Sequence, residues 1–342
     1  MDWKELRATA RQRFQGACRV CPVCNGLVCS GEVPGMGGLG TGAAFRNNVA
    51  ALAALRLNMR TVHAVAAVDT GISLFGSTLA LPVIGAAIGG IALNMNAAMP
   101  EADYARAVVD GCRLAGTVAM TGDGPAPLVF EAGLTAVEAA GGMAIPVIKP
   151  RETTRIVEMA KRAAAAGALA FGIDIDAAAL VNMTNAGQPV GPKTARELAA
   201  IKRQTEIPFI VKGIMTVDEA VACRDAGVDA IVVSNHGGRA LDHTPGTAEV
   251  LPVIAAAVGG GSLRVLADGG VRSGADILKM LALGADAVLL GRPLAQGVIG
   301  GGRDGAAAVL DKLHSELTAA MILTGTARAA AVSPAVIWRC PA

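Results

Sequence analysis

From residue 80 onward, apolar runs of four to six residues alternate with helical patterns of ten to fifteen, and this rhythm limits what the chain can fold into more than any other feature. A short apolar run bounded by turn residues reads as a strand buried on both faces, and a helical stretch between two such runs is what a parallel sheet needs to cross from one strand to the next. The runs fall at 82–87, 116–119, 144–148, 169–173, 209–212, 230–234, 264–267 and 287–290. Eight parallel strands in this rhythm close into a (β/α)8 barrel, an α/β architecture; an open doubly wound sheet is the alternative that periodicity alone leaves. Hydrophobic residues make up 53% of the 342 and aromatics only 3%, so Ala, Val, Leu and Ile must fill the core. No linker sets off a second domain, and residues 1–79 are expected to be an extension packed on a barrel of residues 80–342.

In such a fold, chemistry sits where strands open into loops at their carboxyl ends. The sixth run ends in Ser234-Asn-His236-Gly-Gly-Arg239-Ala-Leu-Asp242. An imidazole can move a proton near neutral pH, and a guanidinium three residues later offers a planar fork for a carboxylate. The pair could hold an acid and deprotonate it; the blander reading makes His236 a loop histidine and Arg239 a surface charge. Asp242 could orient the imidazole and stabilise its charged form. After the seventh and eighth runs stand Asp268-Gly-Gly270-Val-Arg272 and Gly291-Arg292. Glycine beside guanidinium at two consecutive strand ends reads as a phosphate cradle, or otherwise as two tight turns. Lys212 ends the fifth run, where it must find a negative partner or reach out to water.

The chain has 30 Lys plus Arg against 28 Asp plus Glu, which gives no basic field for nucleic acid. Its first residues are charged, and the most apolar stretch, 79–93, contains Pro82 and is too short to span a bilayer as a helix. A cytoplasmic protein without membrane contact is therefore expected, with its seven cysteines reduced. Residues 3–17 and 43–59 pattern as helices around Cys18-x2-Cys21-x2-Cys24-x4-Cys29 and a glycine-rich loop at 30–42. Four thiolates so close together can converge on an iron–sulfur cluster or a zinc ion; a redox-active thiol pair and inert cysteines are the other readings. Residues 306–330 read as two alanine-rich helices. Apolar helix faces favour a homo-oligomer.

The stretch Ser-Asn-His-Gly-Gly-Arg followed by Leu-Asp resembles the signature of the FMN-dependent α-hydroxy acid oxidases and dehydrogenases, and the resemblance extends over most of the chain from residue 80. It implies the barrel fold, FMN as cofactor and a small hydroxy acid as substrate. His236 would be the general base, flavin N5 the acceptor of the hydride equivalent, and Arg239 the holder of the carboxylate. By the same resemblance Asp268 would contact the ribityl chain, Gly270, Arg272, Gly291 and Arg292 the phosphate, and Lys212, Ser234, Ala86, Ala87, Gly89 and Thr121 the flavin ring. A cluster on the cysteines would give electrons an exit, favouring a dehydrogenase over a peroxide-producing oxidase.

The sequence departs from the family pattern on the substrate side. The glycine-rich loop lacks the family's tyrosine, and the third strand's glutamine and tyrosine fall at Pro146 and Ile148. The fourth strand's Thr-x-Asp becomes Asp174-Ile-Asp176, and no second arginine follows. Lys149 and the two aspartates then serve either a cationic or larger substrate or one another. A flavin-dependent isomerase or lyase is the alternative activity.

Overall fold

The computed structural model describes residues 2–338. All eight apolar runs form strands: β3 (Val83–Ile88), β4 (Ala119–Thr121), β5 (Ala144–Ile148), β6 (Phe171–Asp174), β7 (Phe209–Ile214), β8 (Ala230–Val233), β9 (Arg264–Ala267) and β10 (Ala287–Leu290). They close into a barrel in the order β10-β3-β4-β5-β6-β7-β8-β9, every adjacent pair parallel. The protein is a (β/α)8 barrel. An antiparallel hairpin, β1 (Ile72–Leu74) and β2 (Ser77–Leu79), precedes it and packs its apolar side chains onto the barrel interior.

Side chains on a strand point alternately to opposite faces, and here both faces are buried. Ile84, Val147, Ile210, Val232, Leu266 and Leu289 pack with one another inside the barrel. Their neighbours Val83, Ile148, Val211, Ile231, Val265 and Val288 join the larger layer between strands and helices. This parity decides what the mouth of the barrel contains. Counting two residues on from the last inner position gives Lys149, Lys212, Ser234, Asp268 and Gly291.

Several boundaries differ from the sequence reading for physical reasons. The second strand starts at Ala119 because Gly116, at φ +76, belongs to a turn whose carbonyl accepts from Ala80 N–H. The first helix ends at Arg13, where Gln15 and Gly16 turn left-handed. Helix Ala43–Ala54 stops short of residue 59 because residues 56–58 pair with the C-terminal segment through Leu57 and Ile337. The C-terminal helices start earlier than expected, running through Arg292–Thr324 with a break at Gly301 and Gly302. Among the described residues no helix is long and apolar enough to cross a membrane.

Candidate active site

The loop after β8 is pinned by its asparagine. Asn235 is buried; its amide oxygen accepts from Asn48 Nδ2 at 2.8 Å and from Gly238 N–H at 3.0 Å, and its Nδ2 donates to Thr244 Oγ1 at 3.0 Å. Asn48 lies in helix Ala43–Ala54, which therefore sits against the loop. Gly238 is required there: at φ +78 an added Cβ would lie 2.3 Å from Phe45 N. His236 is itself left-handed, φ +59, a conformation a non-glycine residue adopts only when held. Its own N–H donates to Ser234 Oγ at 3.0 Å.

That strained backbone brings the imidazole to two carboxylates. His236 Nδ1 is 2.8 Å from Asp176 Oδ1 and 3.6 Å from Asp174 Oδ1. Asp174 ends β6, and Asp176 follows in the short 3-10 turn Ile175–Ala177. Lys212 Nζ donates to Asp174 Oδ1 at 3.1 Å and stands 3.5 Å from Asp176 Oδ2, while Lys149 Nζ reaches Asp174 Oδ2 at 2.6 Å. Two carboxylates thus meet two ammonium groups, and the histidine is the remaining partner. Burial alone would raise the Asp174 carboxyl, but His236, Lys149 and Lys212 outweigh it and hold it well below the ordinary range. Burial would likewise strip Lys212 of its proton, and Asp174, Asp176 and Asp268 instead raise its affinity above the ordinary lysine value. Of the two readings of Lys149 and the aspartates, the geometry shows them serving one another.

This placement corrects two sequence expectations. Asp242 does not orient His236; it accepts from Thr41 N–H at 2.6 Å, Thr41 Oγ1 at 2.8 Å and its neighbour His243 N–H at 2.9 Å, and so ties the glycine-rich loop to the barrel. The carboxylate that meets His236 Nδ1 is Asp176. Adjacency could have found it, since β6, β7 and β8 are neighbours and Asp174 pairs in register with Lys212. Thr121 falls on the outward parity of β4, its Oγ1 close to Gly133 of helix Pro127–Ala139, so its hydroxyl faces away from the barrel axis. Ala86 and Ala87 both pack against the interior because β3 carries an irregularity between Gly85 and Ile88. Gly89 lies just past that strand, packed against Gly122 and Val129.

The second half of the site is a group of guanidiniums. Arg239 Nη1 donates to the carbonyls of Gly35 and Gly37, and Nη2 donates to Asn94 Oδ1 at 3.1 Å. Arg292 donates to Met36 O at 2.8 Å, Gly37 O at 3.0 Å and Gly237 O at 3.1 Å, and lies over the Phe45 ring with 3.8 Å to the centroid. Arg272 donates to Cys24 O at 3.2 Å and Val271 O at 2.8 Å. None of the three has a carboxylate within ion-pair distance among the described residues. Neutral oxygens accept several of their hydrogens, and none of them supplies a compensating charge. Burial, together with Arg239 and Arg272, pushes Arg292 down from its ordinary value, which is the signature of like charges crowded without an anion.

These residues fit FMN. A dianionic phosphate supplies the missing negative charge for Arg272 and Arg292. Asp268 is buried with Oδ1 lacking any hydrogen-bond partner, as a ligand hydroxyl would require, and burial raises its carboxyl from the ordinary value. A Cβ on Gly291 would meet nothing closer than Ala86 Cβ at 3.9 Å, so the barrel mouth is open beside it. Gly270, at φ +84, lets its loop approach Asn48 O.

The family model of the FMN-dependent dehydrogenases matches residues 35–191 and 187–339, and the chain belongs to that family. A Dictyostelium discoideum 2-hydroxyacid oxidase is 46% identical over 145 residues, 42% of this chain and 37% of that protein. Mouse 2-hydroxyacid oxidase 1 is 30% identical over 335 residues, covering 86% of this chain and 88% of that one. A crystal structure of mandelate oxidase with (S)-2-phenylpropionate superposes with a TM-score of 0.78 at 31% identity, over 97% of this chain and 96% of that chain.

Proposed function

We propose that this FMN-dependent oxidoreductase removes two electrons and two protons from a 2-hydroxy acid, with His236 as general base and Arg239 as the carboxylate anchor. The observation that carries the reading is the His236–Asp176 pair, set beside guanidiniums that lack anions. Asp176 accepts from Nδ1–H, which leaves Nε2 as the lone-pair nitrogen that takes the substrate proton, and its charge stabilises the imidazolium that results. Arg239 has its Nε hydrogen and one Nη2 hydrogen free of partners among the described residues, a fork suited to a carboxylate.

FMN, when bound, supplies the two-electron acceptor. Arg272 and Arg292 would hold its phosphate, Asp268 its ribityl hydroxyls, and the main chain of Ala86, Ala87 and Gly89 one face of its ring. Lys212 brings a fixed positive charge to the inner mouth of the barrel, where it favours an electron-rich ligand. The family places the chain with oxidoreductases, and nothing found favours an isomerase or lyase.

The test uses anaerobic mixing with 2-hydroxy acids and their amides. The acids should bleach the flavin, and Arg239→Met should raise KM for the acid far more than for its amide. Equal effects of the substitution on both would remove Arg239 from the substrate site.

A further inference from the structure

The four clustered cysteines lie before residue 35, where the family match begins, and the site described above uses none of their thiols. In the structure all four thiols are free, partly exposed and turned onto one partly open cavity, whose wall Arg292 and Gln296 complete. The fold is built to hold them there. Arg7 Nη2, from helix Trp3–Arg13, donates to Val20 O and Cys21 O, each at 2.8 Å, and Arg11 Nε donates to Arg19 O at 2.7 Å. Val20 and Gly26 are both left-handed, and these reversals fold the chain back on itself.

Sulfur atoms in the group receive hydrogen bonds. Val20 N–H points to Cys18 Sγ at 3.4 Å, Gln296 Nε2 to the same sulfur at 3.5 Å and Arg272 Nη2 to Cys24 Sγ at 3.6 Å. N–H groups aimed at sulfur in this way are the donors that a metal-bound thiolate accepts.

The sulfurs are not gathered as a single zinc ion would gather them. One zinc ion holds four thiolates at about 2.3 Å, which sets them about 3.8 Å apart. Among the described residues no three of these cysteines bring their sulfurs within 4.8 Å of one another. A cubane of four irons and four sulfides carries its thiolates at the corners of a wider tetrahedron.

We propose that Cys18, Cys21, Cys24 and Cys29 ligate a single [4Fe–4S] cluster beside Arg272 and Arg292. Ligation exchanges four S–H bonds for four Fe–S bonds and releases four protons to solvent. The resulting dianion is met by the two guanidiniums, so the cluster and the flavin phosphate share a wall of positive charge. The proposal is independent of which substrate the barrel oxidises.

Full-length protein purified without oxygen tests it through iron, acid-labile sulfide and zinc content, with electron paramagnetic resonance after dithionite reduction. About four irons and four sulfides per chain, with a signal from a reduced cluster, are expected. Cys21→Ser and Cys24→Ser should lose the iron, and Cys223→Ser should keep it. Stoichiometric zinc in place of iron would overturn the proposal. So would background iron both as purified and after reconstitution with ferrous iron, sulfide and dithiothreitol, or full iron retained in Cys21→Ser.

Discussion

Replacing Asp176 by Asn removes one charge from the proposed base's partner and keeps the side chain's shape. At an effective dielectric of about 20, unit charges separated by the observed 2.8 Å interact by about 6 kcal/mol. Not all of this is lost. Asp174, 3.6 Å from Nδ1, still faces the imidazolium, and Asn can still accept a hydrogen bond. A loss of about 4 kcal/mol in the transition state is therefore expected, about a thousand-fold in rate. The assay is the anaerobic rate of flavin bleaching by a 2-hydroxy acid, with FMN content measured in each variant. Asp242→Asn is the comparison, because its carboxylate holds Thr41 and His243 backbone rather than the base. It should lower the unfolding temperature and leave the bleaching rate within a few-fold. The reasoning is refuted if Asp176→Asn stays within ten-fold of wild type, or if Asp242→Asn falls as far.

Three other outcomes follow from the geometry. Arg292→Ala should weaken FMN binding about ten- to a hundred-fold, the value of one or two charged hydrogen bonds, and inorganic phosphate should raise the melting temperature of the wild-type apoprotein but not of the variant. Gly238→Ala should destabilise the fold, since a left-handed non-glycine costs about 1–2 kcal/mol before the clash with Phe45 N is counted; an unchanged unfolding midpoint would contradict this. Because the Asp174 carboxyl lies well below its ordinary value in the folded state, its stabilising contribution is complete above about pH 4 and lost as pH falls further. Melting temperature should accordingly drop less steeply between pH 5 and pH 3 in Asp174→Asn than in wild type.

Periodicity made the barrel legible, because each strand is buried on both faces and so reads as an unbroken apolar run between turn residues. Helix ends were less legible: residues 55–59 continue a helical pattern, yet pairing of Leu57 with Ile337 draws them out straight. Residues at strand ends, such as Lys212, Ser234 and Asp268, could be placed from the runs alone, since parity sends them inward. Contacts across the barrel could not. Asp242 is near His236 in sequence and Asp176 is distant, and only the order of the strands makes the distant carboxylate the partner. Asn48 and Asn94 gave no signal, because their roles depend on where the N-terminal segments dock. The glycine-rich loop could be read as a loop, but that it approaches the guanidiniums of Arg239 and Arg292 could not.

On the proposed function, this barrel holds FMN and uses His236 to start the oxidation of a 2-hydroxy acid. The most direct measurement is the flavin spectrum of protein reconstituted with FMN and mixed without oxygen with a panel of such acids, for wild type and His236→Asn. About one FMN per chain is expected in both proteins, with bleaching by at least one acid in the wild type alone. Failure of the wild type to retain FMN, or equal bleaching in His236→Asn, would contradict it.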